Sequence, residues 1–225
     1  MPGPQPREIT IALPNGTAVS GLLYSPAAMR AILVLAHGAG AGMSHPFMTA
    51  AAEQLADRGI ATLRYQFPYM ERGSRRPDPP AIAHATVRAA VAEAAAQLPG
   101  LPLFAGGKSF GGRMTSQAQA RAPLPGVRGL IFLGFPLHPA KRPSLDRARH
   151  LADVQVPMLF LQGARDALAD RDLIARVVAE LGSRAILMTV PDADHSFHVP
   201  ARTGRTDRQV LSELCDAGAA WMVAH

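Results

Sequence analysis

Leu101-Pro-Leu-Phe-Ala-Gly-Gly-Lys-Ser-Phe-Gly-Gly-Arg113 is the stretch that decides the fold of this chain. Its first half, Leu101–Ala105, is a short apolar run with the character of a buried parallel strand, and it ends in glycines that open onto helix-forming residues. At the join lies Gly107-Lys108-Ser109-Phe110-Gly111, a G-x-S-x-G pattern. A sharp strand-to-helix turn there exposes the serine oxygen, and the flanking glycines remove side chains that would clash. The helix N-terminus favours negative charge developing beside it. The same letters could end a phosphate loop, G-x-x-x-x-G-K-[ST]. Its first glycine would then fall on Pro102, which cannot supply the tight bend, so that reading is set aside. Ser109 is the candidate nucleophile.

Working outward, Ala31–Ala36 and Met158–Leu161 repeat the strand character, and Ile60–Tyr65 and Leu130–Leu133 are weaker examples. Between them, Pro46–Arg58, Ala81–Leu98, Arg113–Ala120 and Asp170–Leu181 have helical spacing or helix-forming composition. Strand alternates with helix, which predicts an α/β fold: a mostly parallel sheet with helices on both faces. Glu8–Leu13 and Ala18–Tyr24 alternate with period two around Pro14-Asn15-Gly16, an antiparallel hairpin on the sheet edge. Ile186–Val190 supplies a last strand and Asp207–Val223 a closing helix. Phe67–Pro80, rich in arginine and proline, reads as an irregular surface loop. The short span from Leu133 to Met158 leaves little room for a lid domain, and the expectation is one domain over residues 1–225.

A serine nucleophile needs a base and an acid to orient it. Val156-Pro-Met-Leu-Phe-Leu-Gln-Gly-Ala-Arg-Asp166 is a strand, a glycine turn and an aspartate. Ile186-Leu-Met-Thr-Val-Pro-Asp-Ala-Asp-His195 is a strand followed by a polar loop with a histidine. His195 is therefore the candidate general base and Asp166 the acid, with Asp170, Asp192 and Asp194 as nearby alternatives. The oxyanion hole needs backbone N–H donors. Phe110 offers one and the turn His37-Gly-Ala-Gly-Ala-Gly42 the other, from Ala39 with Gly40 as runner-up; His37 itself reads as structural. Lys108 and Arg113 have two readings: attraction of an acidic substrate, or a solvated lysine with an arginine anchored in a surface ion pair, and the second is favoured.

Composition narrows the classes. The chain has 225 residues, 48% of them hydrophobic, and a formal net charge of +6. The basic residues are scattered arginines, grouped only at Arg72, Arg75 and Arg76, so no nucleic-acid role is expected. No apolar run is long enough to span a membrane, and Met-Pro-Gly-Pro-Gln-Pro-Arg-Glu-Ile-Thr lacks the layout of a secretory signal, which makes the cytoplasm the default location. The single cysteine, Cys215, excludes an internal disulfide and reads as a small apolar residue in the last helix. Asp192-Ala-Asp-His-Ser-Phe-His198 has too few converging groups for a metal site, and no cofactor is expected. Nothing in the sequence selects an oligomeric state.

Over nearly its whole length the chain resembles the α/β-hydrolase superfamily, through His37-Gly-Ala-Gly40, the Gly107–Arg113 elbow, Gln162-Gly-Ala-Arg-Asp166 and Asp192-Ala-Asp-His-Ser-Phe197. More narrowly it is similar to small dienelactone-hydrolase-like proteins, especially a group with a G-K-S-x-G-G-R elbow and a G-F-P-L-H-P segment, here Gly134–Pro139. Dienelactone hydrolases proper use a cysteine nucleophile, whereas position 109 is serine, so their reaction does not carry over. The resemblance implies a serine hydrolase acting on a small ester or thioester. That group is also related to a subunit of an animal histone-acetyltransferase complex, so the alternative is a non-catalytic interaction module that keeps the scaffold.

Overall fold

The computed structural model describes residues 5–225. Eight strands form one sheet: β1 Arg7–Ala12, β2 Ala18–Tyr24, β3 Ala31–Ala36, β4 Ile60–Tyr65, β5 Leu103–Lys108, β6 Val127–Leu133, β7 Met158–Gly163 and β8 Ala185–Val190. Their spatial order is β1-β2-β4-β3-β5-β6-β7-β8. β1 and β2 form the expected antiparallel hairpin, β2 meets β4 antiparallel, and every later pairing is parallel. The crossovers are helical: α1 Pro46–Ala56, α2 Pro68–Glu71, α3 Pro80–Gln97, α4 Phe110–Arg121 and α5 Arg171–Leu181, with α6 Asp207–Ala224 closing the chain.

The central strands read as continuous apolar runs because both faces of the sheet are covered. Along β3, Ile32 and Val34 join the core beneath α3 and α4, while Leu33 and Leu35 point into the core beneath α1 and α6. The same division runs through β6, where Leu130 and Phe132 face one side and Ile131 and Leu133 the other. Strand order reverses at β3, where β4 lies to one side and β5 to the other. In open α/β sheets the crevice at such a switch, outside the carboxyl ends of the strands, is where ligands bind. No helix among the described residues is long and apolar enough to cross a membrane. The β6–β7 connection carries only a short 3-10 helix, Arg149–Asp153, and no lid.

Three expectations change. α4 begins at Phe110 rather than Arg113, directly on the serine turn. Its glycines, poor helix formers, concealed that start. β5 begins at Leu103 and runs on to Lys108, through the glycines that seemed to end it. The segment 67–80 is not wholly a surface loop: Phe67, Pro68 and Tyr69 are buried, and Asp78 folds back so that its carboxylate accepts the Tyr69 N–H at 2.7 Å.

Candidate active site

Backbone geometry forms the serine turn. Ser109 has φ 51° and ψ −115°, a conformation that L-residues avoid and that costs about 1–3 kcal/mol unless the surroundings enforce it. Here they do. A Cβ on Gly107 would stand 2.4 Å from the carbonyl oxygen of Ala36, and one on Gly111 would stand 2.6 Å from the same atom. The turn is pressed onto β3 so closely that only glycine fits two residues before and two residues after the serine. The Ser109 N–H donates to the Leu133 carbonyl at 3.1 Å, tying the turn to β6 as well.

Side chains complete the constellation. His195 Nε2 lies 2.8 Å from Ser109 Oγ, and His195 Nδ1 lies 2.7 Å from Asp166 Oδ2. The Asp166 side chain is fully buried, while that of His195 keeps 24% of its surface exposed. The carboxylate of Asp166 also accepts the Gln162 side-chain amide at 2.6 Å and the Leu168 N–H at 2.7 Å. This fixes its orientation, and with Nδ1 donating to it the imidazole is left with Nε2 as an acceptor toward the serine.

The other aspartates are engaged elsewhere. Asp170 caps α5, its carboxylate accepting the N–H groups of Asp172 and Leu173. Asp192 pairs with Arg202 at 3.0 Å. Asp194 accepts the N–H groups of Ser196 and His198, shaping the loop around His195. His198, the other histidine of that run, pairs with the exposed Asp207.

The second turn, after β3, lies against Ser109: a Cβ on Gly38 would come 3.9 Å from Ser109 Cβ. Ala39 lines the cavity beside Ser109, and neither its N–H nor that of Phe110 has a hydrogen-bond partner among the described residues. Phe110 is the first residue of α4, where a free N–H is inherent to the helix. Gly40 is a different case, because its N–H donates to the Tyr69 hydroxyl at 3.0 Å. The runner-up donor is thus committed to holding the turn. His37 is buried, its Nδ1–H donating to the Gly38 carbonyl and its Nε2 accepting the Phe67 N–H. Burial pushes its pKa down, so the ring stays neutral and structural.

A cavity of about 420 Å³ opens over these groups, walled by Phe47, Met48, Leu168, Ala39 and Ala41 with Ser109 and His195 at its base. Neither favoured reading of the flanking cations survives. The Lys108 side chain is half-buried on the wall of this cavity, and its ammonium is tied down rather than free: it donates to the backbone carbonyl of His195 beside two aromatic rings. Arg113 meets no carboxylate among the described residues, and its guanidinium lies 5.8 Å from the Phe110 ring centre.

Reading the sequence missed Gln162, Tyr69 and Arg64. Arg64, almost wholly buried in β4, donates to the Met43 carbonyl and to Thr49 and so anchors the loop after the β3 turn. Gln162 and Arg64 carried a usable signal, each being a long polar side chain inside an apolar strand.

A mostly parallel sheet covered on both faces, with a strained serine at a strand-to-helix turn, defines an α/β hydrolase. Residues 29–223 match the family described as Alpha/beta hydrolase domain, and the chain belongs to that family. Among solved structures it is similar to a serine hydrolase without a lid from Xanthomonas campestris, with TM-score 0.76 and 23% identity over 96% of this chain and 95% of that one. A dienelactone hydrolase from Anabaena variabilis gives TM-score 0.78 and 20% identity over 100% and 99%. An esterase domain from Rhodothermus marinus gives 0.74 and 17% over 98% of each chain. At these identities the likeness is one of fold.

Proposed function

We propose that this protein is a serine hydrolase of small, uncharged carboxylic esters or thioesters, acting through an acyl-enzyme on Ser109 with residues 1–225 as one domain. The observation that carries the reading is the unbroken chain Ser109 Oγ, His195 Nε2, His195 Nδ1, Asp166 Oδ2, with links of 2.8 and 2.7 Å.

Ser109 Oγ attacks the carbonyl carbon while His195 Nε2 takes its proton, and Asp166 stabilises the imidazolium that forms. The carbonyl oxygen becomes an oxyanion, to which the N–H groups of Ala39 and Phe110 donate. Collapse expels the alcohol or thiol, which takes the proton back from His195. Water then attacks the acyl-serine with His195 again as base, and the carboxylic acid leaves. No step needs a cofactor. The apolar walls of Phe47, Met48 and Leu168 suit an uncharged acyl or alcohol group, and the one lysine on the cavity wall is engaged by the His195 carbonyl. A chain with one cysteine forms no internal disulfide, which fits work in the cytoplasm, and that thiol, Cys215, is buried with its pKa pushed up to about 12 by burial.

The test is turnover of p-nitrophenyl acetate and butyrate by wild type and Ser109→Ala. Turnover should fall to the uncatalysed background in the variant while its circular dichroism stays that of the wild type. Equal rates in the two proteins would refute the assignment.

A further inference from the structure

We propose that Lys108 is a positioning residue, whose ammonium ties the loop carrying His195 to the strand end carrying Ser109. The proposal rests on the reading of Ser109 and His195 as nucleophile and base.

The residue before the nucleophile shares the rigidity of the turn, since β5 runs through Lys108 and stops at the strained Ser109. From there the Lys108 side chain reaches across to the β8 loop, where Nζ donates to the backbone carbonyl of His195 itself. The ammonium stands 5.1 Å from the centre of the Phe197 ring and 5.9 Å from that of Phe47. Those two rings stack at 6.0 Å with 13° between their planes, so the cation lies beside a pair contributed by the loop and by α1. On the β6 side Gly134, at φ 70°, leaves the ammonium room: a Cβ there would lie 2.9 Å from Nζ and 3.5 Å from His195 Cε1.

Charge and chemistry agree with this assignment. A residue needed only for packing at such a place would be a methionine or leucine, because taking an ammonium out of water is costly unless a specific acceptor compensates. The charged or titratable groups facing Lys108 are Asp166 at the end of β7, Asp194 in the β8 loop and His195, with His45 on the wall of the same cavity. Burial pushes the lysine down to about 8, and the two carboxylates oppose that shift. With one N–H given to the base's own backbone carbonyl, the ammonium holds the residue that carries the imidazole. Because a misplacement of about 1 Å in a reacting group costs on the order of a hundredfold in rate, the anchor bears directly on turnover.

Lys108→Met keeps the length and bulk of the side chain and removes its donor and charge. Its kcat on p-nitrophenyl acetate should fall about ten- to a hundredfold with KM within about twofold, as expected when a reacting group is mispositioned rather than substrate binding lost. Amide hydrogen exchange across residues 192–198 should quicken by about tenfold or more as the loop loosens. The wild type should lose activity as pH rises through about 8, and that alkaline limb should be missing from the variant. Lys108→Arg, which keeps a cationic donor on a long side chain, should retain more of the wild-type kcat and of the loop's slow exchange than Lys108→Met does. Wild-type kcat and unchanged loop exchange in Lys108→Met would overturn the anchor. Absence of ester turnover in wild type, with the loop still loosened by Lys108→Met, would instead refute the proposed function and leave the anchor standing.

Discussion

The two halves of this site are held in place by different means. The serine turn is fixed by backbone: Ser109 at φ 51°, Gly107 and Gly111 pressed against the Ala36 carbonyl, and the Ser109 N–H bonded to β6. The histidine loop is fixed by side chains: Asp166 on one ring nitrogen, Lys108 on the backbone carbonyl, Asp194 across the Ser196 and His198 amides. A nucleophile must not move, whereas a base must exchange protons with serine, leaving group and water in turn. Rigid sterics suit the first and adjustable polar contacts suit the second.

The contrast is sharpest in what each half tolerates. Gly111→Ala should have the largest effect, because its new methyl would meet the Ala36 and His37 carbonyls at 2.6 Å, both of them backbone. We expect little soluble folded protein, seen as loss of a cooperative melting transition. A normally folded variant would mean that the turn is less constrained than its geometry implies. On the histidine side, Asp166→Asn should leave folding intact and cut kcat by about 10³–10⁴-fold, since the amide favours the wrong imidazole tautomer. Asp194→Ala removes the carboxylate oxygen that accepts two loop N–H groups without touching the ring, and should cost about tenfold in kcat with a small change in melting temperature.

The smallest and most discriminating effect concerns pH. The folded Lys108 titrates near 8, below its ordinary value of 10.5, so between those values the unfolded chain holds a proton that the folded one has released. Stability from this group therefore rises as pH increases through that window and is lost as pH falls back through 8, while activity moves the opposite way. Urea titrations of wild type and Lys108→Met at two pH values on either side of the window isolate this contribution. The variant should be at least as stable as wild type at neutral pH, where the buried charge is costly.

Legibility follows the same division. The serine turn was readable because everything that makes it is local, from the apolar run of β5 to the glycines around Ser109. That Asp166 and His195 come together with Ser109 was readable because each follows a strand in the order serine, aspartate, histidine. What selects Asp166 over Asp170, Asp192 or Asp194 is contacts with residues far along the chain, and spacing does not encode them. Lys108 was misread for that reason: its partner is 87 residues away, and in sequence it resembles any solvated lysine at a helix start. Tyr69 was hidden in a segment whose arginines and prolines dominate its composition, although its hydroxyl holds the Gly40 amide.

The central claim is an activated serine at the strand-to-helix turn. The direct test is reaction of purified wild type and Ser109→Ala with a fluorophosphonate, followed by mass spectrometry of the modified peptide. The account predicts one adduct, on Ser109, and none in the variant. Folded wild-type protein that remains unlabelled, or carries its adduct on another residue, would contradict it.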